Sequence, residues 1–165
     1  MMAISLWQPW ATLWLLRDPD EKVFETRHWY TGYRGELLVH AAKKQDGDVR
    51  AALRDPYFQE RLGAHGLTIL DLSFGALIGS VRLVGCCRMD KMPPQSEREQ
   101  MAGNWSPDRY AWERGRTTAT FKTPIPYKGQ QGFFDVPYSV LTCCWLASPQ
   151  QPNGMMIPVG DSKLF

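Results

Sequence analysis

No run of apolar residues in this 165-residue sequence approaches the roughly 20 that a membrane-spanning helix needs. The stretch Leu13-Trp14-Leu15-Leu16 is short and ends in Arg17-Asp18-Pro19-Asp20. Neither a spanning helix nor a signal-peptide core is expected from it. Charge of one sign is lacking too, because 19 Lys+Arg face 17 Asp+Glu for a net +2. Bulk electrostatics therefore do not mark a nucleic-acid binder, and any such role requires a local basic surface. Cysteine is confined to two adjacent doublets, Cys86-Cys87 and Cys143-Cys144. Neighbours on a strand point to opposite faces, so neither doublet can grip zinc as a Cys-x-x-Cys pair does. Buried reduced thiols in a cytoplasmic protein, with no metal and no cofactor, are the expectation. Also missing are a Gly-x-Ser-x-Gly elbow, a phosphate-binding glycine loop, His-Glu-x-x-His, a dinucleotide fingerprint, internal repeats and low-complexity tracts.

What is present is a globular composition, 44% hydrophobic, 22% charged and 12% aromatic. The length suits one domain, expected over residues 1–148, with a Pro-, Gly- and Gln-rich tail over 149–165 that lies on the surface or frays. Ala3 to Leu6 reads as a strand. Pro9 opens a helix to about Leu16, with Gln8 near its cap and Trp10, Leu13 and Trp14 on one buried face. Lys22 to Arg27 and Glu36 to Ala41 read as strands, and Gln45 to Gly66 as two short helices split at Pro56. Phe74 to Cys87 is the strongest strand signal, its glycines suggesting bends. A polar excursion from Met89 to Gly103 carries a short helix in Gln95 to Met101. Tyr110 to Glu113, Ala119 to Ile125 and Gly132 to Val136 complete the strands. Strands outnumber helices, which predicts a mixed β-barrel with peripheral helices.

Chemistry-bearing residues concentrate between Ile4 and Ala41, which holds four of the seven tryptophans and two of the three histidines. Charged Lys22, Glu25 and Arg27 interrupt an otherwise apolar strand. Period-2 alternation places Lys22, Phe24 and Thr26 on one face and Val23, Glu25 and Arg27 on the other, unless a bulge intervenes. A lysine and a carboxylate in a partly desolvated cleft can move a proton or activate a hydroxyl, and Thr26 is the nearest hydroxyl. The plainer alternative is a Glu25–Arg27 or Glu25–Arg34 ion pair pinning the strand. Trp7, Trp29, Tyr30 and Tyr33 could stack on bases while Arg27, Arg34, Lys43 and Lys44 meet phosphates; ordinary core and rim packing is the alternative. His28 and His40 have no ligand-spaced partner and read as hydrogen-bonded structural histidines.

The segment Ile4-Ser5-Leu6-Trp7-Gln8-Pro9-Trp10-Ala11-Thr12-Leu13 is followed by Lys22-x-x-Glu25-x-Arg27-x-Trp29 and by Tyr33-Arg34-Gly35-x-Leu37-x-x-His40-Ala41-x-Lys43. Together they resemble the ASCH domain, the family named after human activating signal cointegrator 1, whose C-terminal domain is similar in these stretches. The likeness continues through Gly75 to Val81, Tyr110-Ala111-Trp112-Glu113 and Pro126-x-Lys128-Gly129-x-x-Gly132-Phe133, covering roughly Ala3 to Pro137. No counterpart of the cointegrator's zinc-binding part is present. The resemblance implies a PUA-like β-barrel with a cleft beside the first helix, and recognition of RNA or single-stranded nucleic acid. One bacterial branch of the wider group is an amidohydrolase on N4-acetylcytidine that uses a lysine, a threonine and a glutamate. Lys22 falls on that lysine; Glu25 stands where the threonine would be, with Thr26 one residue on; Glu113 is the counterpart offered for the glutamate. A one-residue displacement sends a side chain to the opposite face of a strand.

The leading expectation is therefore an RNA-, nucleic-acid- or nucleoside-binding ASCH domain. Lys22, Glu25 and Arg27 would line the floor of its cleft, Trp7 and Gln8 a wall, and Arg34 and Lys43 its basic mouth, with Trp29, Tyr33 and Lys44 as further contacts. The alternative is an amidohydrolase on an N4-acylated cytidine, with Lys22, Glu25 and Thr26 as its catalytic set, or a ribonuclease. A third option is a protein-interaction adaptor using Trp105 and Pro93-Pro94.

Overall fold

The computed structural model describes residues 1–17 and 22–145, the side chains of 143–145 excepted. Its strands are β1 (Met2–Leu6), β2 (Phe24–Arg27), β3 (Gly35–Ala41), β4 (Ala76–Arg88), β5 (Tyr110–Pro126) and β6 (Phe133–Asp135). Its α-helices are α1 (Trp10–Leu15), α2 (Gly47–Arg54), α3 (Pro56–Gly63), α4 (Glu97–Met101) and α5 (Tyr138–Trp145). The strands form one sheet in the order β2-β5-β4-β3-β1-β6, with β1 parallel to β3 and the remaining pairs antiparallel. The sheet curls into a half-barrel with a few helices, as the strand-rich pattern predicts in coarse form.

Irregular register accompanies the curl. The β3–β4 ladder shifts between Val39 and His40, and the β4–β5 ladder shifts at three places between Leu77 and Gly85. Each shift adds twist and bends the bulged strand. At Gly79 a Cβ would lie 2.2 Å from the Ala119 carbonyl oxygen, so only glycine allows β4 and β5 to approach there. The two strands expected at Tyr110 to Glu113 and Ala119 to Ile125 are one continuous strand, β5. The polar run Arg114 to Thr118 hides this in the sequence, yet it pairs with Val81 and Leu83 of β4.

Period-2 alternation distributes the core. Ile4, Leu6, Leu37 and Val39 face inward with Trp14, Val81 and Trp112, whereas Ala3 and Leu38 face the opposite side with Phe134 and Leu141. The second cluster includes α5, a helix the sequence reading did not anticipate. Helix α1 is covered on two sides, so Trp10, Leu13 and Trp14 do not share one environment. Trp14, Ala11 and Leu15 pack into the half-barrel, while Leu13 and Trp10 pack against Phe58 and Leu62 of α3. Such a helix reads apolar nearly all round because both faces are buried. No described helix is long and apolar enough to cross a membrane. The tail 149–165 and the Cys143 and Cys144 thiols lie outside what is described. In the other doublet Cys86 is buried but Cys87 is exposed, which corrects the expectation of two buried thiols and follows from the opposite facing of strand neighbours.

Candidate functional site

Strand β2 is short, and what fixes it is polar. Glu99, the third residue of α4, accepts hydrogen bonds from the Val23 and Phe24 amides at 2.8 and 3.1 Å. Buried Arg114 donates from Nε to the Lys22 carbonyl at 3.0 Å and from Nη2 to the Leu16 carbonyl at 2.8 Å. These bonds bracket the connection between α1 and β2. Burial pushes the Glu99 carboxyl above the usual carboxylate range, opposed by the Val23 amide and the Lys22 charge. Burial likewise lowers the Arg114 guanidinium from its ordinary value, with Glu99 acting against it.

Lys22 is 3% exposed and its ammonium is fully engaged. It donates to the Phe24 carbonyl, to the Ala102 carbonyl at 2.9 Å, and contacts Glu25 Oε2 at 3.3 Å. Three N–H groups meet three acceptors. Glu25 Oε1 lies 3.7 Å from Arg27 Nη1, and the Arg27 guanidinium sits 5.9 Å from the Trp112 ring centroid. The ion-pair alternative is thus realised through Arg27, while Arg34 donates instead to the Thr31 and Tyr33 carbonyls. Thr26 Oγ1 accepts from the Asn104 amide at 3.0 Å, and Arg109 donates to the Thr26 carbonyl at 3.0 Å. Among the described residues no hydrogen bond joins Lys22 to Thr26.

A cleft of about 1640 Å³ opens over this strand. Lys22, Glu25, Thr26 and Arg27 all line it, although alternation assigns them to two faces. Two features resolve the conflict. Lys22 precedes the strand proper, which starts at Phe24, and its long side chain turns back to Glu25. Thr26 borders the cleft beside Gly103 and Asn104, which lie beyond the end of α4. Trp7, Trp29, Lys43 and Lys44 line the same space. The end of the polar excursion and the residue after it supply Met101 to Asn104, and the loop after β5 supplies Tyr127 to Gly132.

Other expected site residues lie elsewhere. Gln8 is 1% exposed and does not line the cleft: Nε2 donates to the Ser73 carbonyl, and Oε1 accepts from the amide and hydroxyl of Thr12, securing the start of α1. Tyr33 packs against Phe133 and donates its hydroxyl to the Glu36 carbonyl. Arg34 is exposed on its loop, away from the cleft mouth. Glu113 is exposed and sits opposite Phe24 and Gly85, not in the cleft. Trp105, offered for an adaptor surface, packs edge-on against Phe24 and donates to the Glu99 carbonyl at 2.8 Å. The two histidines, by contrast, do line the cleft: His28 is exposed there without a hydrogen bond among the described residues, so its expected structural bonding is not found, whereas His40 does have such bonds, to Ser5 and to the Tyr127 carbonyl. Asn104 carries no signal in the sequence, and Arg109 and Lys128, the latter inside the Pro126-x-Lys128-Gly129 stretch, carry no site role there; each comes from a segment distant in the chain, and only folding brings them to the cleft. Among the described residues no cluster of three or more His, Cys, Asp or Glu could hold a metal. No family model matches the chain, and neither does any curated protein.

Proposed function

We propose that the chain is an ASCH-type, PUA-like domain whose cleft binds RNA, single-stranded nucleic acid or a nucleoside. One observation carries this reading: against an overall net charge of +2, the cleft gathers six cations, Lys22, Arg27, Lys43, Lys44, Arg109 and Lys128, against two carboxylates, Glu25 and Asp48. Such a local field attracts phosphates that the bulk charge would not. Trp7, exposed at the cleft, is available for stacking, while Trp29 lines the same space with its ring packed against Trp112 and Phe133. Among the described residues Arg27 Nε and Arg109 Nε are buried donors without a partner, and an unmet buried donor costs about 1–3 kcal/mol that a ligand acceptor would recover. Glu25, already flanked by Lys22 and Arg27, is an acceptor suited to a base amino group.

Fluorescence anisotropy with a single-stranded RNA oligonucleotide tests the reading across a salt series. Affinity is expected to fall steeply with salt, to be abolished in Arg27→Ala plus Lys43→Ala, and each lost phosphate contact is expected to lower the slope by about 0.7. Absent or salt-insensitive binding would discard it. The hydrolytic alternative has the 3.3 Å Lys22–Glu25 contact in its favour. Against it stand the saturated Lys22 ammonium and the lack of a Lys22–Thr26 bond. Incubation with N4-acetylcytidine, following cytidine release in wild type and Lys22→Ala, separates the two: release that depends on Lys22 would favour hydrolysis.

A further inference from the structure

The parallel pairing of β1 with β3 sets Ser5 opposite His40. Their side chains meet, with Ser5 Oγ 3.0 Å from His40 Nδ1, while His40 Nε2 lies 3.0 Å from the Tyr127 carbonyl oxygen. A carbonyl only accepts, so Nε2 carries the hydrogen and Nδ1 offers its lone pair to the Ser5 hydroxyl. Burial holds the imidazole below its ordinary value, opposed by the Tyr127 carbonyl, which keeps it neutral and able to take a proton. A hydroxyl donating to a base that a third group orients is the arrangement of an activated nucleophile. A buried histidine needs only its own nitrogens satisfied. Here, however, both Ser5 and His40 also line the cleft.

The loop above them adds a second observation. A Cβ on Gly129 would lie 2.5 Å from Ser5 Oγ and 2.3 Å from His40 Cε1, so the glycine backbone rests directly on the pair. The Gly129 amide makes no hydrogen bond among the described residues. An unspent backbone donor beside a hydroxyl can stabilise an oxyanion. Lys128 follows Tyr127, and Lys43 lies three residues beyond His40; both line the cleft.

We infer that Ser5 and His40 form a hydrolytic centre, apart from the Lys22–Glu25 pair, for carboxylic esters that carry an anionic group. Ser5 Oγ bonds to the carbonyl carbon as its proton passes to His40 Nδ1, and the carbonyl oxygen takes the negative charge. Collapse breaks the bond to the leaving alkoxide, which takes the proton from Nδ1 and departs as the alcohol. Water then attacks the Ser5 ester, giving its proton to Nδ1; collapse releases the acid and returns the proton to Ser5 Oγ. The Gly129 amide would hold the oxyanion, and Lys43 and Lys128 would attract the anionic group.

The test is covalent labelling with a fluorophosphonate probe, mapped by mass spectrometry, alongside hydrolysis of 4-nitrophenyl acetate and of 4-nitrophenyl hemisuccinate. The expected result is one adduct on Ser5, absent in Ser5→Ala and in urea-unfolded protein, and formed about a hundredfold more slowly in His40→Gln. Gly129→Ala, which crowds the pair, is expected to slow it as well, and the hemisuccinate to be the better ester. No adduct on wild-type Ser5, or labelling no faster than in the unfolded chain, overturns the inference. Should His40→Gln fail to fold by circular dichroism, the wild-type and Gly129→Ala results decide alone.

Discussion

At the scale of single residues, the polar groups around β2 set the shape of the cleft. The Ser96-x-x-Glu99 spacing would send the Glu99 carboxylate back to the Ser96 amide in a capping box. Ser96 does cap the helix, accepting from the Glu99 amide at 3.2 Å, but the carboxylate is diverted to Val23 and Phe24. Its partners lie some 75 positions earlier, which no local pattern reveals. Glu99→Ala strips both amides of their acceptor and removes the negative charge facing Lys22 and Arg114. It is expected to cost about 3 kcal/mol in urea unfolding, with Glu99→Gln costing less because one acceptor oxygen remains. A loss below about 0.5 kcal/mol for Glu99→Ala would show those bonds to be idle.

At the scale of elements, apolar spacing was informative and side-chain destination was not. The position of α1, the break at Pro56 and the course of β3 and β4 follow from periodicity and from the turn chemistry of Gly and Pro. That Trp14 and Leu13 enter different clusters depends on α3 closing over the far side of α1, which needs tertiary contact. The Gly79 approach is another case: the sequence suggests a bend, and the fold makes it an obligatory close contact between strands. Gly79→Ala is expected to destabilise by about 2 kcal/mol or more, because the obstructing atom is a backbone oxygen that cannot rotate away. A thermal midpoint within 1–2 °C of wild type would mean that β4 and β5 separate at little cost.

At the scale of the whole molecule, two buried groups tilt stability with pH in opposite senses. His40 in the fold resists protonation below its ordinary 6.5, so between that value and its lower folded value the unfolded chain binds more protons. Its contribution is present above about 6.5 and is lost as pH falls through the window. Glu99 has a folded value raised above 4.5, so its contribution is present at low pH and is lost as pH rises through that raised value. The thermal midpoint of His40→Gln is accordingly expected to fall less than that of wild type as pH drops below 6.5, and that of Glu99→Gln to fall more as pH drops toward 4.5. A His40→Gln slope equal to that of wild type would remove His40 as a source of acid sensitivity.

The sequence by itself determined a strand-rich, barrel-like chain with helices at its margin and drew attention to Lys22, Glu25, Thr26 and Arg27. Alternation, breakers and charges in an apolar strand are local properties, readable without a fold. It placed those four side chains on two faces and added Gln8, Tyr33 and Arg34 to their site. Only the tertiary structure decided otherwise. The early start of Lys22, the docking of α4 through Glu99 and the return of the Tyr127–Gly132 loop bring the four together and exclude the other three. The physical reason is that a cleft is made by what closes over a strand, and the closing segments come from distant parts of the chain. The Ser5–His40 contact has the same origin, since parallel strands β1 and β3 make neighbours of residues 35 positions apart.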